Sequence, residues 1–222
     1  TVGTFVAMTY TENAQTPEAT VTIDGLTATG TWSSVTDVED KTTFTASGNF
    51  TGTIANQSTG MAKATPTVTA PVAKNNLVYN TSALVLTDAG STTGGTMQYS
   101  LDNISWSNDI PSGTNAGDYT VYYKVVGNSN YNDVAAQSIP VSIANANMSA
   151  DITADGYNGV FDNQAHTISV AIPDGASIKY GITEGTYNLD VAPEYTNAGT
   201  YTVYYKVEKP NYNDVTGSAD IV

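Results

Sequence analysis

The stretch 114-TNAGDYTVYYKV-125 returns as 196-TNAGTYTVYYKV-207, with eleven of twelve positions identical at an offset of 82. Within it Tyr119, Val121, Tyr123 and Val125 fall on one side of an extended chain, and Thr120, Tyr122 and Lys124 on the other. Side chains alternate across a strand, so this period of two predicts a half-buried β-strand. Repetition of so long a phrase argues for a structural unit. A core must be rebuilt in every copy, whereas a reaction needs one site.

Outward from this phrase the repeat holds. NYNDV at 130–134 returns at 211–215, VYNTSA at 78–83 answers VFDNQA at 160–165, and MQYSL at 97–101 answers IKYGI at 178–182. The first sixty residues read as a diverged third copy, TYTENAQTP at 9–17 matching VYNTSALVL and TTFTASGNFTG at 42–52 a shortened YTVYYKVEKPNYND. Modules are thus expected at 1–62, 63–145 and 146–222. KATPTVTAPVAK (63–74) and ANANMSADITADG (144–156) read as linkers, each with the first strand of the next module. Gly, Pro, Asn and Asp punctuate every ten residues or so, and Thr, Val, Tyr and Ile dominate between them. That composition favours strands and leaves no long helix. TISVAIP (167–173) turns Ile168, Val170 and Ile172 to one face, and SIPVSI (138–143) turns Ile139, Val141 and Ile143 to one face. Many short strands with regular turn signals predict an all-β fold of three tandem immunoglobulin-like β-sandwich modules in an elongated array, with β-grasp-like modules as the alternative. Aligned to the second module, Thr1 falls inside the first strand and Val222 before the last would finish. The chain therefore reads as cut from a longer array.

The phrase NAG-x-Y-x-V resembles the tyrosine corner of immunoglobulin-like domains, with Tyr119 and Val121, or Tyr201 and Val203, in the paired places. With YNTSAL, YSLDNISWS and NAGDYTV in order, the second module resembles the tandem Ig-like (MBG-type) repeats of bacterial cell-surface and adhesin proteins. The third keeps the last phrase and blurs the others; the first keeps YTENAQTP and loses the corner Tyr. The resemblance implies a non-catalytic stalk or spacer of a secreted or wall-attached protein. Its alternatives are modules that themselves bind a glycan or a partner protein, or accessory domains of a large extracellular hydrolase.

Composition supports that setting. Twenty-one acidic side chains face seven basic ones, all Lys, for a net charge of −14. Such a surface repels phosphate backbones and lacks the guanidinium fork that reads them, which argues against nucleic acid. No apolar run spans a bilayer. With no Cys, disulfides, zinc–thiolate sites and cysteine nucleophiles are excluded. A Cys-free, acidic, Thr- and Asn-rich chain fits an extracellular location, either at the cell surface or secreted.

Catalytic residues are not expected. The only His, His166, aligns with Leu84 and lacks a recurring nucleophile or acid partner. A glycosidase pair needs a cleft and a fixed separation of two carboxylates, whereas the Glu residues here lie mostly in turn-like segments and none recurs between the modules. No cofactor is expected, calcium being the one ion the acidic loops suit. Asp151, Asp155, Asp133 and Asp214 are the positions to inspect, although DVED (37–40), DNISWSND (102–109) and NYND all lack a specific calcium spacing. For ligand contact the candidates are Tyr122 with Lys124, Tyr204 with Lys206, and Trp106, since outward aromatics stack on sugar rings. Cross-strand Tyr–Lys cover of the sheet is the competing reading. Lys–Asn cross-links would need inward lysines, and the short Thr-x-Thr stretches are too irregular for an ice-binding face. The five N-x-S/T sequons at Asn49, Asn56, Asn80, Asn103 and Asn147 follow from composition alone.

Overall fold

A computed structural model describes residues Thr1–Val222. The chain is all-β, and its one helical element is the single 3-10 turn Ser149–Asp151. No helix is long and apolar enough to cross a membrane. Two compact units are present. The first comprises Thr1–Ala73, Leu86–Pro111 and Thr120–Pro140; the second comprises Lys74–Val85, Ser112–Tyr119 and Val141–Val222. The division passes through the second repeat.

In the first unit, strand Lys41–Ala46 lies antiparallel between Gly30–Trp32 and Thr53–Ser58. The strand forms although the corner Tyr is missing, because Thr42 and Phe44 still alternate inward. Phe44, Trp32, Val21 and Ala28 make the core, and Phe5 meets the Trp32 ring edge-on at 4.8 Å. The buried indole N–H donates to the Ala19 carbonyl at 3.1 Å, so the large apolar ring enters the core without an unpaired donor. A register shift between Thr42 and Phe44 marks an irregularity in this ladder.

The repeated phrase behaves as its alternation requires. Val121, Tyr123 and Val125 are buried, and Tyr122 and Lys124 are half-buried on the other face. Thr96–Ser100 pairs antiparallel with it, setting Tyr99 opposite Tyr123 and Met97 opposite Val125. The Tyr123 hydroxyl donates to Gln137 at 2.6 Å.

In the second unit the same register recurs, Tyr180 opposite Tyr205 and Ile178 opposite Val207. Strand Tyr201–Glu208 runs between Ser177–Gly181 and Val215–Ile221. Met148, Ile168, Val203, Tyr205, Val207 and Ile221 form the core. Val203 and Val207 are wholly buried, each burial stabilising by about 1.5–3 kcal/mol. Thr153–Asp155 pairs with Ser169–Ala171, so the segment read as linker does carry the next first strand. In the last strand Ile221 pairs in parallel with Tyr157, as Ile143 pairs with Leu77.

One expectation needs correcting. Tyr119 makes the corner, its hydroxyl donating to the Asn115 carbonyl at 2.7 Å. Tyr201 does not; it stacks on Tyr195 with ring centroids 4.0 Å apart and planes 15° from parallel. The cause is one residue. Gly113 stands where the third repeat has Tyr195, and a Cβ at Gly113 would lie 2.6 Å from the Tyr119 ring. Glycine leaves the room that the corner tyrosine takes.

Candidate functional site

The outward lysines are committed to neighbours within their own repeats. Lys124 Nζ sits 4.3 Å from the centroid of the Trp106 ring, a cation–π contact. Lys206 donates to Glu208 at 2.5 Å and to Asp214 at 2.8 Å. Asp214 and then Glu208 hold its ammonium pKa well above the ordinary lysine range. Tyr122 and Tyr204 are half-buried on the same faces. These four residues and Trp106 line the sheet rather than a cavity.

The acidic loops use their oxygens locally. Asp102 accepts the Ile104 and Ser105 N–H groups at 2.8 and 2.7 Å and both the Ser100 and Ser105 hydroxyls. The backbone bonds, Ser105 first, hold its carboxyl far below the usual range. Asp40 likewise accepts two N–H groups, of Asp37 and Thr36, and its pKa is lowered by them. Asp133 accepts the Gly127 N–H at 2.8 Å, and Asp214 holds Lys206. Asp151 lies in the 3-10 turn and Asp155 in strand Thr153–Asp155, both exposed. Nowhere do three or more His, Asp or Glu side chains cluster.

What the chain does build, twice, is a clasp around NYND. In the first unit Asn130 Oδ1 accepts the Val38 N–H at 2.9 Å while its Nδ2 donates to Asp37 at 2.7 Å. The backbone on either side of Tyr131 pairs with Ala64, which donates to the Asn130 carbonyl at 2.9 Å and accepts from Asn132 N–H at 2.8 Å. The Tyr131 ring meets Tyr10 edge-on at 5.3 Å. Its hydroxyl donates to Glu12, and that bond pushes the Tyr131 pKa up to about 12.

In the second unit Asn211 Oδ1 accepts the Ala116 N–H at 2.9 Å and its Nδ2 donates to Asn115 at 3.2 Å. Ala146 pairs with Asn211 and Asn213 at 2.9 and 2.8 Å, and Tyr212 meets Tyr79 edge-on at 5.4 Å. An amide carries its acceptor and its donors on separate atoms, so it can hold a backbone N–H and a neighbouring Asx oxygen at once. Asn211 also sits at φ +70°, a conformation that Asn tolerates and bulkier side chains rarely adopt. The repeated NYNDV was visible in the sequence, but its polar turn composition concealed that the Asn and Tyr reach into the preceding repeat.

The third repeat carries the same TNAG phrase with no loop seated on it. There a pocket of about 270 Å³ opens between Tyr157, Phe161, His166, Tyr195 and Asn197. His166 and Tyr157 stack at 3.5 Å, and His166 Nε2 lies 3.0 Å from Asp162. The Gln164 N–H, then His166, lower the Asp162 pKa. The pair braces the pocket wall. Comparison with protein-family models, with curated proteins and with solved structures finds no match to this chain.

Proposed function

We propose that the chain is a non-catalytic segment of a secreted or wall-attached bacterial surface protein, in which Ig-like β-sandwich repeats in series act as stalk or spacer of an adhesin. The observation that carries this reading is the clasp. Each NYND loop spends its Asn side chain and its tyrosine on the repeat before it, and its flanking backbone on the residue that opens its own repeat, Ala64 or Ala146, so that five or more directed contacts fix each junction. A spacer needs such a device, because a flexible linker between repeats would let a distal head collapse towards its base. The Tyr119 corner and the register of the repeated strands support the sandwich reading. The net charge of −14 disfavours close packing of neighbouring copies.

A glycan array and a pull-down with the full chain test the reading. The expectation is no saturable binding, together with a radius of gyration by small-angle scattering that falls when Asn130→Ala and Asn211→Ala are combined. Saturable binding that persists in that variant would assign the chain to recognition instead of spacing.

A further inference from the structure

We propose that the pocket at the end of the third repeat is a docking site for the Asn-Tyr loop of another repeat of this kind. The inference rests on the reading of the two clasps as joints between repeats. It extends that reading to a surface that carries no partner.

The argument is one of equivalence. In the second repeat, Asn115 Oδ1 and the Ala116 N–H receive Asn211. The third repeat repeats T-N-A-G letter for letter, so Asn197 and Ala198 stand in those places, both exposed. Neither the Asn197 side chain nor the Ala198 N–H has a hydrogen-bond partner. In the first and second repeats an aromatic residue, Tyr10 or Tyr79, receives the incoming tyrosine edge-on. Phe161 occupies that position in the sequence, beside Val160, and the two are 61% and 88% exposed. Large apolar side chains left so open next to unpaired backbone donors mark a surface that gains by being covered. The strand rail is present too. Its register stops short: Gly159 N–H donates to the Val222 carbonyl at 3.1 Å, whereas in the second repeat Tyr79 N–H itself donates to Ala144 at 2.9 Å, so two further residues would carry the rail to Phe161.

The occupant this surface fits is an Asn-aromatic loop. The Asn amide would bridge Ala198 N–H and Asn197 Oδ1, and the ring would lie against Phe161. A sugar would satisfy the donors but has no edge-on aromatic to offer Phe161. The loop is neutral at its tip, so the acidic surface does not repel it.

The test is a chain lengthened after Val222 by a second copy of residues 143–222, whose Ile143 and Ala144 carry the rail on to Phe161 before the added loop follows. Amide hydrogen exchange is read at Ala198, with Ala116 as the internal standard. Ala198 should exchange about tenfold or more slowly in the lengthened chain. Asn211→Ala in the added copy alone should return it to the rate of the original chain. Unchanged Ala198 exchange, with Ala116 still protected, would overturn the docking proposal and leave the joint reading standing. If Ala116 itself exchanges freely, the joint reading fails first.

Discussion

The second and third repeats share eleven of twelve residues in their central phrase, yet they use its first tyrosine differently. In the second, Gly113 leaves space and Tyr119 turns its hydroxyl onto the Asn115 carbonyl. In the third, Tyr195 fills that space and Tyr201 stacks on it. The strand is the same and the corner is not. A local motif therefore specifies the strand, while the residue six positions before the tyrosine decides what the tyrosine does. The same contrast separates the two ends of the clasp: Asn115 and Ala116 hold a loop, and Asn197 and Ala198 hold none.

The largest expected effect should be common to both repeats. Val121→Ala and Val203→Ala each remove buried apolar volume at positions with no exposure, and each should lower unfolding free energy by about 2–3 kcal/mol in urea titrations. A loss below about 0.5 kcal/mol in either would show that the two strands are not equivalent. Next comes the clasp. Asn130→Ala should cost about 1–3 kcal/mol, since Val38 N–H and Asp37 lose their partner together. The smallest and most discriminating contrast lies at the corner. Tyr119→Phe should cost about 1 kcal/mol and Tyr201→Phe close to nothing, because only the first hydroxyl is bonded. Equal costs would erase the distinction.

Alkali should separate the two clasps as well. The Tyr131 pKa is raised above its ordinary value of 10.0 to about 12 by its bond to Glu12. Its contribution is therefore fully present below pH 10 and is lost as pH rises through about 12. Slowed exchange at Val38 should weaken over that window. Tyr212 offers its ring to Lys209 at 4.9 Å rather than a hydroxyl to a carboxylate, so Ala116 should follow a different course. Identical pH profiles at the two amides would contradict the assignment.

Much of this was legible in the chain itself. Alternation in YTVYYKV fixed which residues are buried, since period two leaves little freedom once one face meets a core. The offsets of 81 and 82 anticipated the matching registers of Tyr99 with Tyr123 and Tyr180 with Tyr205. The clasp was not legible, because Asn, Tyr and Asp in a turn look the same whether they face water or a neighbouring repeat. Nor was the loss of the Tyr201 corner, which depends on a residue six positions earlier, in a segment with no periodicity. The outward Tyr and Lys pairs were located correctly on the strand faces, but the ion pairs of Lys206 and the Trp106 contact of Lys124 come from loops that the alternation does not describe.

The most direct measurement is amide hydrogen exchange at Val38 and Ala116 in the full chain, with and without Asn130→Ala and Asn211→Ala. The clasps predict that each substitution releases its own amide, Val38 for Asn130 and Ala116 for Asn211, by about tenfold or more, while the other stays protected. Two amides that exchange alike in all three proteins would contradict the account.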